Sequence, residues 1–252
     1  MAILVLAVAA TACGELPLVR TASAPPTPSP GIGETPASTP ESPRPMPGRD
    51  AARDLVIVDS GYTWTAPYVT WAVILENPNP AWFADDVAFY VTFPDASGTD
   101  VTASFAAVRL APGQRTAVGG TEEAPTAPAS IVVEVDVGDW YAADAPNGEF
   151  TFDQVTTVEH EGGISTTGIV RSSFAEEVAV SVVVAVHRNA AGDIIGGGMY
   201  PPGLGFEDCC LVPVIAPGRQ LHFEIRSLAP LPLSSIAATT MYLLETIPME
   251  AH

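Results

Sequence analysis

The stretch Phe174-Ala175-Glu176-Glu177-Val178-Ala179-Val180-Ser181-Val182-Val183-Val184-Ala185-Val186-His187-Arg188 decides the fold of this chain. Val178, Val180, Val182, Val184 and Val186 fall on one side, and Ala179, Ser181, Val183, Ala185 and His187 on the other. A two-residue period rich in β-branched side chains predicts a half-buried strand. The first six residues of the stretch echo Phe83-Ala84-Asp85-Asp86-Val87-Ala88. Further along, Leu110-Ala111-Pro112-Gly113 returns as Ile215-Ala216-Pro217-Gly218, and Ala129-Ser130-Ile131 as Ser234-Ser235-Ile236. These last two pairs share an offset of roughly 105 residues, the size of a whole domain rather than of a solenoid unit.

The same alternation recurs elsewhere. Val69, Trp71, Val73 and Leu75 alternate with Thr70, Ala72, Ile74 and Glu76, and Val133, Val135 and Val137 with Val132, Glu134 and Asp136. Ile236 to Leu244 closes the second copy. Turns separate the runs at Pro94-Asp95-Ala96-Ser97-Gly98, at Arg188-Asn189-Ala190-Ala191-Gly192 and at the two Ala-Pro-Gly sites. No long amphipathic helix interrupts them. The expected fold class is all-β, with two tandem immunoglobulin-like antiparallel sandwiches of about seven strands each. Their expected bounds are residues 54–146 and 147–248.

Ahead of them lie two segments of different character. Ile3 to Ala10 is an apolar run ending in small residues, followed by Thr11-Ala12-Cys13-Gly14. Such a run is the length of a signal-peptide core and too short to span a bilayer. The small residues before Cys13 resemble a bacterial lipobox, in which the cysteine is lipidated. Ala10 stands where leucine is usual, and no Lys or Arg precedes the run. Residues 1–13 are therefore expected to be a lipoprotein signal with Cys13 as the lipidation site. An ordinary secretory signal is the alternative. Residues 14–53 hold ten prolines between Pro17 and Pro47, among Ser, Thr, Ala and Gly. Such a stretch cannot bury a core and is expected to be a disordered linker. At about 3.1 Å per residue in polyproline II geometry, it could hold a domain about 90 Å from its anchor.

The 252 residues carry 10 Lys+Arg against 29 Asp+Glu, a formal net charge of −19, and every basic residue is arginine. Four acids and four arginines cancel within residues 14–53, so the whole excess sits on the body. A polyanionic body repels phosphate backbones and excludes nucleic acid as a partner. It also repels an anionic bilayer, so attachment to a membrane falls to the N-terminal lipid.

With these residues in view, the body resembles the FxLYD-type extracytoplasmic domains. Each copy has a strand ending near Asn77 or Ser172, then another strand, a glycine turn and a Pro-Gly turn. Phe89-Tyr90-Val91-Thr92-Phe93-Pro94-Asp95 is similar to the strand end that names the family. The second copy departs from it, with Ala185-Val186-His187-Arg188-Asn189 at that place. The resemblance implies a sandwich fold, an exported location and no catalytic residues.

Candidate chemistry is sparse. Cys209 and Cys210 are adjacent, in a stretch from Tyr200 to Leu211 that lengthens the second copy where the first is expected to make a short connection. They could form a vicinal disulfide, stay reduced or bridge two chains. Glu207 and Asp208 beside them would raise the thiol pKa and argue against a redox nucleophile. The acids Asp136, Asp139, Asp144, Glu207 and Asp208 are of the type calcium uses, but they lack EF-hand spacing. His160, His187, His222 and His252 lack zinc spacing, so no metal site and no cofactor are expected. Ile195-Gly196-Gly197-Gly198-Met199 leads into a strand, so its glycines suit a bulge or a close backbone approach rather than a phosphate cradle. No nucleophile elbow or P-loop is present. Trp71 falls on the alternating face and is expected in the core. Trp82, Trp140 and Tyr141 lie near strand ends and are the candidate ligand-contact aromatics.

The resulting expectation is a non-enzymatic interaction or structural protein, lipid-anchored on the extracytoplasmic side of the cell membrane. Its partner would be an envelope protein or a glycan. The alternative is a carbohydrate- or calcium-binding accessory module of an envelope enzyme.

Overall fold

Period-two alternation becomes strand throughout the body. The computed structural model describes residues 52–160, 162–200, 214–227 and 231–246. Cys13, most of the proline segment, Glu207, Asp208, Cys209, Cys210 and His252 lie outside the described residues. The first copy contains β1 (Val56–Thr65), β2 (Tyr68–Glu76), β3 (Trp82–Pro94), β4 (Asp100–Leu110), β5 (Arg115–Glu123) and β6 (Val132–Ala142). The second contains β7 (Phe150–His160), β8 (Gly163–Ser172), β9 (Val178–Arg188), β10 (Ile194–Tyr200), β11 (Val214–Ile215), β12 (Gln220–Ser227) and β13 (Ala238–Thr246). Among the described residues there is no α-helix, only a 3-10 turn at Leu233–Ser235.

All pairings are antiparallel, and both copies use one topology. In the first, sheet β1-β2-β5 faces sheet β4-β3-β6; in the second, β7-β8-β12 faces the sheet centred on β9. The chain crosses the sandwich after β2, after β4 and after β5, so β5 returns beside β2 and β6 beside β3, a Greek-key path. Among the described residues each copy thus has six strand positions, against the expected seven or so. β10 pairs with Val183–Arg188 and β11 with Val178 and Ala179, together occupying the place of the continuous β4. The extra residues of the second copy fall between β10 and β11, where the first copy has the continuous β4 in place of the expected short connection, and beyond Tyr200 they lie outside the described residues.

The two sandwiches are stacked face to face. Trp71 of β2 stacks on Phe89 of β3, with centroids 6.5 Å apart, and Val69, Val73 and Leu75 share its side within the first sandwich. The other side of β2, with Thr70, Ala72 and Ile74, is also buried. It meets the second copy, because Val184, Val186, Ile194 and Leu244 belong to the same core cluster as Trp71. Each such side chain contributes about 2 kcal/mol of burial. The sheets lie in the order β4-β3-β6, β1-β2-β5, the β9 sheet, then β7-β8-β12.

The expectation of one buried side for β9 is therefore corrected. Val184 and Val186 face the first copy, while Val183 and Ala185 pack into their own sandwich with Phe223 and Ile225. β9 is the middle strand of an inner sheet, which has no solvent side.

Polar groups fix the register of the stack. Thr70 Oγ1 donates to the Gly197 carbonyl (3.2 Å) and Thr116 Oγ1 to the Leu243 carbonyl (3.1 Å). Arg188 forms an ion pair with Asp59 of β1 at 2.7 Å. The glycine run works as its sequence suggested. β10 carries a register shift between Ile194 and Gly196, and a Cβ on Gly197 would stand 2.9 Å from that of Ala72.

Candidate functional site

Both copies of the duplicated Phe-Ala-acid-acid-Val segment reach one cleft. Phe83 comes from the start of β3, Phe174, Ala175, Glu176 and Val178 from the lead into β9. Ala111 and Pro112 of the first Ala-Pro-Gly turn form another wall, and the connector between the copies supplies Ala143, Asp144, Pro146 and Asn147. The cavity is about 340 Å³. An adjoining hollow of about 510 Å³ shares Pro112, Pro146 and Phe174 and extends to Arg115 and Tyr242. These volumes fall within the range of small-molecule sites.

Local structure explains why the cleft is apolar. β3 has a register shift between Ala84 and Val87, and Asp86 adopts φ +50°. This bulge lets Ala84 and Val87 both enter the core and places Phe83 on the opposite side of the strand. Phe83 is nearly buried there. Phe174 is held against Phe150 at 5.0 Å and against Gly148, where a Cβ would clash with its ring. Asp144, Asn147 and Glu176 are the polar groups among the lining residues. The arrangement can accept an apolar group and orient a donor or a positive charge. On the neighbouring hollow, Arg115 is already engaged by Glu76.

The expected aromatics do not form one surface. Trp140 pairs with Ala84 and Trp82 with Ala142, so register puts both on the core-facing side of their sheet. Trp140 packs against the core there. Tyr141 pairs with Phe83 on the opposite side and is 46% exposed. Among the described residues no three His, Cys, Asp or Glu side chains are grouped to hold a metal ion. Asp136 and Asp139 lie along β6, and Asp144 belongs to the cleft.

His187 and His222 both lie within strands, as expected, but in different surroundings. His222 is exposed on β12, whereas His187 is 1% exposed on β9. Burial pushes the His187 pKa down to about 4. Its Nδ1 meets Thr239 Oγ1 at 3.0 Å, and a hydroxyl chain continues to Thr157 (3.2 Å) and Thr166 (3.0 Å). The imidazole is therefore a satisfied neutral group.

Between pH 6.5 and about 4 the unfolded chain binds a proton at this site and the folded chain does not. Its contribution is complete above pH 6.5 and is lost as pH falls towards 4, up to about 3 kcal/mol. His187→Phe should flatten that part of the acid limb in urea unfolding measured from pH 7 to pH 4. An unchanged slope would show that other groups set it.

No protein-family model matches the chain, and no curated protein matches it.

Proposed function

We propose that the chain is a lipid-anchored, non-catalytic binding protein of the bacterial cell envelope, held off the membrane by its proline segment. The anchor rests on the lipobox-like residues around Cys13 and the spacer on the ten prolines that follow. The resemblance to FxLYD-type domains fits this exported setting. The observation that carries a binding role is the convergence of the duplicated segments, through Phe83 and Phe174, on one apolar cleft. A ligand with an apolar body and a donor or positive end would suit it, with Asp144 and Glu176 taking that end.

Two experiments test the proposal. Metabolic labelling with a fatty-acid probe should mark the wild type and fail to mark Cys13→Ala; equal labelling of both would remove the anchor. An environment-sensitive dye with an apolar body and an amine should brighten on binding the full chain. Ala111→Trp, which fills the cleft, should reduce that signal at least fivefold. A dye signal indifferent to Ala111→Trp would remove the cleft from the reading.

The glycan-binding alternative has no support from Trp82, Trp140 and Tyr141, because register divides them between two sides of a sheet.

A further inference from the structure

The outer face of sheet β4-β3-β6 carries a second aromatic feature, away from the cleft. Tyr90 of β3 and Phe105 of β4 are cross-strand partners with centroids 5.1 Å apart. They are 47% and 58% exposed. Their neighbours on this face are small, Ala88 opposite Ala107 and Thr92 opposite Ala103, so both rings stand above the sheet. On the third strand Glu134 pairs with Tyr90 and Asp136 with Ala88.

The repeat shows what this position is built for. The turn residues Asp95 and Gly98 recur as Asn189 and Gly192, an offset of 94, which matches Tyr90 to Val184 and Thr92 to Val186. By the same pairing, Glu134 opposite Tyr90 corresponds to Tyr242 opposite Val184, and Asp136 to Leu244. In the second copy Val184, Val186, Tyr242 and Leu244 are all packed against the first copy. Among the described residues nothing packs over the corresponding face of the first copy, and two of its positions are carboxylates.

Charge selects the occupant. Strands β3, β4 and β6 hold six carboxylates and one arginine, and that arginine, Arg109, is bound to Asp85 at 2.6 Å. The other outer sheet, β7-β8-β12, holds three carboxylates and two arginines, which pair as Arg171 with Asp153 and Arg226 with Glu224. A further apolar sheet laid on Glu134 and Asp136 would strip both of water without a counter-ion. A cationic segment would supply one.

We infer that this face docks a basic polypeptide segment of a partner, with arginine or lysine side chains stacked on Tyr90 and Phe105 and paired to Glu134 and Asp136. The inference stands apart from the cleft reading, and the variants that test it leave the cleft residues intact.

The probe is a fluorescein-labelled hexa-arginine peptide titrated into the full chain in detergent, followed by polarization. Phe105→Ala removes no charge and little packing, and it should weaken binding at least fivefold. Glu134→Gln with Asp136→Asn should weaken it at least tenfold, and Glu123→Gln with Glu177→Gln, equal in charge but elsewhere, less than twofold. Equal losses from both charge pairs, with Phe105→Ala without effect, would reduce the binding to diffuse attraction and overturn the inference. So would sedimentation showing that the chain self-associates through Phe105. Binding of neutral oligosaccharides that Phe105→Ala abolishes and the glutamine and asparagine changes do not would likewise overturn it.

Discussion

Asn77→Ala is expected to destabilise the fold by about 3–5 kcal/mol, a loss read as a shift of the urea midpoint with little change in slope. Asn77 is fully buried where the chain leaves β2 to cross the sandwich. Its Nδ2 donates to the carbonyls of Trp82 (2.7 Å), Leu110 (3.2 Å) and Ala111 (3.0 Å). Its Oδ1 accepts from the backbone N–H of Asn79 (3.0 Å) and from Asn79 Nδ2 (2.9 Å). One amide therefore joins the β2–β3 crossing to the β4–β5 crossing. Alanine would take the acceptor from the buried Asn79 N–H and this donor from the Trp82 and Leu110 carbonyls, each loss costing about 1–3 kcal/mol, while the Ala111 carbonyl keeps the Gln114 N–H. Asn77→Asp should be worse than alanine, because it presents a buried negative charge to three carbonyl oxygens. Asn77→Asp matching wild type would defeat the account. In the second copy Ser172 holds the corresponding place, and among the described residues its hydroxyl accepts from the Phe174 N–H at 3.3 Å. Ser172→Ala should accordingly cost about 1 kcal/mol.

That contrast shows where the sequence was legible. The strands were readable because alternation reports which side of a strand meets a core, and Trp71 lies where its side of β2 placed it. The turn Pro94–Gly98 was readable from its residues. Asp95 accepts from the Ser97 hydroxyl and from the N–H groups of Ser97 and Thr99, which hold its carboxyl below the usual range. The duplication was readable because the turns keep their spacing.

What did not show was the stacking of the two copies. Alternation shows that one side of β9 is apolar, but β-branched residues on both sides fit either a buried strand or an edge. Ala72, Thr70 and the β10 glycines are small, and small residues signal close approach without naming the neighbour. The cleft was hidden for a different reason. Its lining comes from two repeats and a connector that are distant in sequence, and the bulge at Asp86 reverses the side on which Phe83 emerges. The same reversal puts Trp82 on the core side with Ala84, so counting positions from Val87 backwards misplaces it, and Trp140, the partner of Ala84, shares that side. Tyr90 and Phe105 were missed because a residue on an alternating strand reads as core until the register of its sheet is known.

The strongest test of the stack is Gly197→Val. A Cβ at this position would lie 2.6 Å from the Ala185 carbonyl on β9 and 2.9 Å from the Ala72 Cβ on β2. Both obstacles belong to strands buried on two sides, so neither can move without opening a core. Overpacking of this kind should cost about 4 kcal/mol or more, most of it from parting the two inner sheets. Because one hydrophobic cluster spans both copies, wild type should unfold in a single calorimetric transition. Gly197→Val should replace it with two, the lower one accompanied by exchange of the β2 and β10 amides. Gly192→Ala is the matched control. Gly192 sits in an open turn at φ +91°, so alanine there meets backbone strain alone and should cost about 1 kcal/mol without dividing the transition. If both variants lose the same stability and both melt once, the two sandwiches do not depend on their shared face, and the glycine run serves only the bend of β10.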